Sequence, residues 1–204
     1  MIPYGAEIFD HPDPSILERY ALAENGYCML VARMEPENNV EMILDGYIQS
    51  GANEPFVVVG NQANDYGSRL CRKFEGSNIR FVGGIYDVNM LNNLRYHARA
   101  YFHGHSVGGT NPSLLEAMAS QAMIAAHDNI FNRSILGDDA FYFSSAHDVA
   151  VIIMDDKALE TIRPQRIRAN LQKIRDTYRW DVIVRQYADL IERVMSKRTD
   201  YYAG

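Results

Sequence analysis

Cysteine is scarce in this chain. Only Cys28 and Cys71 occur, with no CxxC pair and no histidine at ligand spacing, which excludes a zinc ribbon and a disulfide framework. Both thiols are expected to be reduced, as in the cytoplasm. Long hydrophobic runs are missing too. No apolar stretch approaches the ~20 residues that a bilayer-spanning helix needs, and the start MIPYGAEIFDHPDP lacks a basic region followed by an apolar one. A soluble, unexported cytoplasmic protein is the expectation. Dense basic runs are absent as well: 20 Lys and Arg stand against 26 Asp and Glu, a net charge of −6, so nucleic acid is not an expected partner. Neither an internal repeat nor a low-complexity linker is present.

What is present is ordinary globular composition, 47% hydrophobic and 23% charged over 204 residues. A chain of this size buries about 70% of its unfolded surface, enough for a sizeable core. Residues 26–32 form a short apolar run, and residues 37–50 place Val40, Ile43, Leu44, Tyr47 and Ile48 on one helical face. The strand-then-helix alternation recurs as Phe56–Val59 with a helix near 65–74, Ile79–Val82 with a helix near 87–95, and Ala98–Phe102 with a helix near 112–120. A further strand follows at Met123–Ala126. Apolar strands without polar alternation require a parallel sheet covered on both faces. The fold class expected is therefore α/β, a doubly wound parallel sheet. After Phe141–Phe143 the pattern becomes three consecutive helices over 146–155, 158–177 and 179–196. The expected organisation is a lead-in with a short helix at 1–25, the α/β domain at 26–157 and a helical tail at 158–204.

Ligands of open α/β sheets sit beyond the carboxyl ends of the strands, so the loops there hold the candidate chemistry. After the fourth strand comes His103-Gly104-His105-Ser106-Val107-Gly108-Gly109-Thr110-Asn111-Pro112-Ser113-Leu114-Leu115-Glu116. Glycines allow close backbone approach, Asn111 is a helix N-cap, Pro112 fits a first turn, and the helix start offers N–H groups to an anion. Glu116, one turn in, is placed to accept two vicinal ribose hydroxyls. The competing reading is a tight turn with a solvated, dipole-stabilising Glu116. Arg33, leaving the first strand, either binds a diphosphate bidentately or pairs with Glu35 or Glu37 on the surface. His103, His105 and His127 lie near strand ends, but without an i, i+4 pair or a carboxylate cluster they point to loop hydrogen bonding rather than a metal.

Six segments in order resemble the C-terminal half of a retaining GT-B glycosyltransferase. They are I-P-Y-G-A-E at 2–7, V-A-R-M-E-P-E-N-N at 31–39, V-V-V-G at 57–60, F-V-G-G-I-Y-D at 81–87, G-G-T-N-P-S-L-L-E-A-M at 108–118 and H-D-N-I-F-N-R at 127–133. More narrowly, the chain is similar to the bacterial rhamnosyltransferase-like branch of family 4, which builds surface polysaccharides. The likeness spans nearly the whole chain. It implies a Rossmann-like half that binds a nucleoside diphosphate sugar, an absent N-terminal half carrying most of the acceptor site, and a last helix that packs back on that half. Segment 2–7 resembles the stretch after the interdomain hinge.

Carried over, the resemblance gives Arg33 and Glu116 the leading roles, the first on the donor diphosphate and the second on the ribose. The Ile85 backbone would face the base, and the 109–114 turn would cradle the distal phosphate. Three departures stand out. The usual E-x7-E pair has Gly108 in place of its first glutamate, the usual lysine is Asn38, and Pro112 replaces a backbone donor. Phosphate contacts are then expected from Thr110, Asn111 and Ser113, and sugar contacts from His105 or Ser106, which completes a donor set with Asn38, Ile85, Gly108 and Gly109. The implied activity is retaining transfer of rhamnose or another deoxysugar to a saccharide or lipid-linked acceptor. No metal and no cofactor beyond the donor substrate are expected, and membrane contact would be peripheral, through the absent half. The alternatives are a non-catalytic nucleotide-binding or interaction module and a GT-B-type sugar-nucleotide epimerase. The fragment alone is expected to be inactive.

Overall fold

A computed structural model describes residues 2–202, with only the backbone of Asp156 and of 197–202. Met1, Ala203 and Gly204, at the ends of the expected lead-in and tail, lie outside the described residues. Six parallel strands, β1 (Cys28–Val31), β2 (Phe56–Val59), β3 (Ile79–Gly83), β4 (Ala100–His103), β5 (Ile124–His127) and β6 (Phe141–Phe143), form one sheet in the order β3-β2-β1-β4-β5-β6. Registers such as Leu30 beside Val58 and Phe102 align the strands so that their carboxyl ends share one edge. This is the doubly wound α/β fold expected from the unalternated apolar strands.

Period-two side chains explain how one sheet serves two cores. Tyr27 and Met29 of the first strand segment, Val57, Val59 and Tyr101 face one side. There they meet Leu94 of α3 (Val88–His97) and Leu114, Leu115 and Met118 of α4 (Pro112–Ala119). Cys28, Leu30, Phe56, Val58 and Phe102 face the other. Their partners are Ile43, Leu44 and Tyr47 of α1 (Val40–Ser50), Leu70 of α2 (Asp65–Lys73), and Val149 and Ile153 of α6 (Ala146–Met154). Gly46 lets α1 and α6 touch, since a Cβ there would lie 2.5 Å from the Ala146 carbonyl.

Three local features depart from the sequence expectation. The helix read over 37–50 is split: a 3-10 turn at Pro36–Asn38 ends on Asn39 at φ 50°, and only then does α1 begin. Asparagine tolerates that left-handed backbone. A short helix, α5 (Ile130–Leu136), follows β5 and was not expected, because its first residues Ile130 and Phe131 are exposed and give no buried stripe. It exists because Asn129 Oδ1 accepts from the N–H groups of both Phe131 and Asn132. In the tail, α7 (Asp156–Lys173) leads through a π-turn at Ile174–Tyr178 into α8 (Trp180–Tyr202). The lead-in holds a 3-10 helix at Pro14–Tyr20 capped by Asp13, and Ala6 bonds to the Tyr178 carbonyl at 2.7 Å.

Candidate functional site

The strand order reverses direction between β1 and β4, and the crevice opens at their carboxyl ends. A cleft of about 500 Å³ lies there, lined by 31–35 after β1, Gly60 and Asn61 after β2, Gly84, Ile85 and Tyr86 after β3, and His105 and Ser113 from the β4–α4 connection. Arg33 is exposed in its wall and makes no ion pair among the described residues, so of the two sequence readings the surface pair with Glu35 or Glu37 is not formed. Its guanidinium is free to meet an anion.

The floor is fixed by a set of hydrogen bonds between three loops. Asn38 is buried, and its Nδ2 donates to the Arg33 carbonyl at 2.9 Å. Asn39 Nδ2 donates to the Gly104 carbonyl at 2.8 Å, and the Ser106 N–H and Oγ both donate to the Glu37 carbonyl. Gly104 has to be glycine, because a Cβ would sit 2.1 Å from the Asn38 carbonyl oxygen. Asn129 and Asn132 donate to the His105 carbonyl from the other side, each at 3.1 Å. Asn38 and Ser106 thus brace the cleft from behind, with their polar atoms committed to backbone, while His105 and Arg33 face it.

Past that braced segment, residues 107–110 make no hydrogen bonds among the described residues. Gly108 has φ 103° with open space around it, a conformation that a glutamate would adopt only with strain. At the start of α4, Pro112 has no N–H, and Asn111 Oδ1 already accepts from the Ser113 N–H at 2.9 Å. Gly109, Thr110 and Asn111 surround this helix start, and Ser113 Oγ shares a 2.8 Å hydrogen bond with Tyr101 Oη. Glu116 does not line the cleft. Its carboxylate pairs with Arg95 of α3 at 2.6 Å.

Electrostatics single out the histidines. His103, at the end of β4, is fully buried, and its ring stacks on His105 with centroids 4.4 Å apart and planes 16° from parallel. Burial, then His105 and Arg95, push the His103 pKa well below the ordinary range. Burial and the Arg33 charge hold His105 down at about 4, against a smaller opposing pull from Glu37. Both rings are therefore neutral near pH 7. His127 is lowered by its burial. No group of three or more His, Cys, Asp and Glu side chains among the described residues is arranged to hold a metal. Sequence reasoning missed Gly60, Asn61 and Tyr86 in the cleft wall. The Gly60 turn was visible as V-V-V-G at a strand end, whereas Tyr86, 89% exposed, carries no periodic signal.

No family model matches the sequence, and no curated protein does. Solved structures do. The chain is similar to sucrose-phosphate synthase from Thermosynechococcus elongatus, with 15% identity over 96% of this chain and 52% of that one and a TM-score of 0.79. It is similar to HepE of Anabaena, solved with UDP and glucose, with 16% identity over 88% of this chain and 52% of that one and a TM-score of 0.74. It also resembles the C-terminal domain of a group 1 glycosyltransferase, LpcC from Francisella tularensis, with 15% identity over 85% of this chain and 96% of that one and a TM-score of 0.70. The chain spans about half the length of the first two. At such identity the likeness speaks for fold: a Rossmann-like sheet with C-terminal helices, as in the C-terminal domain of GT-B glycosyltransferases.

Proposed function

We propose that this chain is the donor-binding half of a GT-B glycosyltransferase, which holds a nucleoside diphosphate sugar in the β1–β4 crevice for transfer to an acceptor. The observation that carries this reading is the unpaired Arg33, exposed in a cleft at the switch point and facing His105 and the Ile85 turn. The base would rest against 84–86, the ribose near α4, and the diphosphate between Arg33 and the 109–113 turn. HepE, with the same fold, was solved with UDP and glucose. In retaining transfer the diphosphate leaves, so the protein's task is to stabilise its growing negative charge. Arg33 and the N–H groups of Gly109, Thr110 and Asn111 would supply that here, without a divalent metal.

The acceptor site would come from a second, N-terminal half. A run of exposed apolar side chains on α8, including Val184, Ile191 and Val194, suits a helix that packs on such a partner. The motif likeness favours rhamnose or another deoxysugar, transferred in the cytoplasm to a saccharide or lipid-linked acceptor of a surface polysaccharide. Calorimetry with UDP, dTDP, GDP and ADP, with and without EDTA, tests the donor assignment. Metal-independent binding that Arg33→Ala weakens, with the matching nucleoside unaffected, is expected. A strict metal requirement, or no binding by any of the four, overturns it.

A further inference from the structure

The stacked histidines are not explained by the fold. Tyr101, His103 and His105 form a column along β4 and its exit, with the Tyr101 and His103 rings 6.3 Å apart and the His103 and His105 rings 4.4 Å apart. Both His103 ring nitrogens and His105 Nδ1 are buried without a hydrogen-bond partner among the described residues. Buried polar atoms left unpaired are costly, and apolar residues of like shape would fill the space at no such cost. The backbone around them is the most heavily braced in the site, held by Asn39, Asn129, Asn132 and the Ser106 contacts to Glu37. That bracing fixes one ring, His105, in the cleft wall on the side that Arg33 occupies.

We propose that His105 is a proton-accepting residue of the donor site, so that binding of a nucleoside diphosphate draws one proton from solvent onto its imidazole. This rests on the reading of the cleft as a diphosphate site. The charges facing His105 decide the behaviour. From the β1–α1 segment Arg33 disfavours a second cation, and Glu37 favours one weakly. From β4, His103 stacks beneath it, with the Arg95 cation of α3 acting on His103 in turn. From the β5–α5 side, Asn129 Nδ2 sits between the His105 carbonyl and His127 Nδ1, 3.2 Å from the latter, and Asp128 pairs with Arg133. With the cleft empty, burial first and the Arg33 charge second keep His105 neutral. A bound diphosphate adds several negative charges beside Arg33 and reverses that balance. The imidazolium then donates to a diphosphate oxygen alongside the guanidinium. His103, sealed below, takes no second proton, so the stack carries one.

The test uses this chain and whichever of UDP, dTDP, GDP and ADP binds most tightly. Proton uptake is counted by calorimetry at pH 6 and pH 8 in two non-phosphate buffers of different ionisation enthalpy. Because a terminal phosphate itself titrates near pH ~6, the count is read as the difference from His105→Gln. Excess uptake of about half to one proton at pH 6 is expected in the unmodified chain and in His103→Phe, which keeps a stacking ring. His105→Gln should lose about fivefold or more in affinity at pH 6 and less than about twofold at pH 8. On the unmodified chain, the His105 imidazole resonances should move to the protonated position on adding nucleotide at pH 6. Nucleotide binding with no difference in proton count and no such resonance shift overturns the proposal and leaves the donor reading standing. Equal loss of affinity at both pH values assigns His105 a packing role and overturns it likewise. Failure of all four nucleotides to bind overturns both.

Discussion

Arg95 and Glu116 form a lopsided pair: the Arg95 side chain is 1% exposed and the Glu116 side chain 46%, with Nη2 and Oε2 2.6 Å apart. Arg95 Nη1 also donates to Asn92 Oδ1 at 3.1 Å, so the guanidinium belongs to the α3–α4 interface and Glu116 is its link to water. The same carboxylate that the motif likeness assigns to the ribose is thus held in place by a buried cation.

That asymmetry predicts unequal mutants. Removing the acid in Glu116→Ala strands a buried cation, which costs about 3 kcal/mol. Removing the base in Arg95→Met leaves a solvated carboxylate and a side chain of similar length, at a cost within about 1 kcal/mol. Should the ribose reach past the cleft lining to this carboxylate, as the motif likeness implies, Glu116→Gln would lower nucleotide affinity by roughly tenfold to a hundredfold, the worth of ~1.5–3 kcal/mol in charge-assisted hydrogen bonds. It should also lower the melting temperature. The double variant Glu116→Gln with Arg95→Met should recover the melting temperature and not the affinity. Joint recovery would show that Glu116 acts on nucleotide only through folding.

Gly104→Ala tests the loop bracing. Its Cβ would meet a backbone oxygen at 2.1 Å and Ile43 Cδ1 at 2.9 Å, so the β4–α4 segment has to shift. Overpacking of this kind costs about 1–3 kcal/mol, and His105 should move with the backbone, so nucleotide affinity should drop as well. Gly51→Ala is the control. At φ 66° with nothing within 4 Å it carries left-handed strain of about 1 kcal/mol, far from the cleft, and affinity should hold.

The doubly wound sheet was legible because runs such as Phe56–Val59 are apolar on both faces, and only a sheet covered on two sides accepts that. Arg33 was legible as a cleft-wall residue because strand ends define the crevice, whereas Ile85 came from the motif likeness alone. Asn38, Ser106 and Glu116 were harder. Each is a polar residue at the right place in the chain, yet its partner is a backbone carbonyl or a buried arginine contributed by another loop or helix, and spacing along one segment carries no record of that. Helix α5 escaped for a related reason, since a double cap from Asn129 defines it and not a buried stripe.

Asn38→Lys restores the cation common in the resembling family, and the surroundings here predict that it does not help. The substitution loses the 2.9 Å hydrogen bond to the Arg33 carbonyl and puts an ammonium where the side chain is buried. A cost of about 1–3 kcal/mol follows from the lost partner alone. The melting temperature should fall with no gain in nucleotide affinity. Tighter binding at unchanged melting temperature would mean that the lysine reaches the cleft and that the Asn38 brace is dispensable.

The neutral histidine stack makes stability depend on pH in a definable window. In the unfolded chain His103 and His105 protonate below ~6.5, while in the folded protein His105 resists until about 4 and burial holds His103 well below its ordinary value. The unfolded state therefore binds more protons as pH falls, and stability declines from pH ~6.5 downward. The His105 contribution is fully lost by about pH 4, where it amounts to on the order of 3 kcal/mol. Paired carboxylates act in a lower window. Glu41, held at about 2 by its hydrogen bonds to Arg69 and Lys73, costs stability only as pH falls below the ordinary carboxylate range. Urea unfolding between pH 7.5 and 5 thus isolates the histidines. His103→Phe should flatten the pH dependence there while keeping the stack, and His105→Gln should flatten it further in combination. An unchanged slope in the double variant would place the titrating groups elsewhere and remove the electrostatic basis assigned to this column.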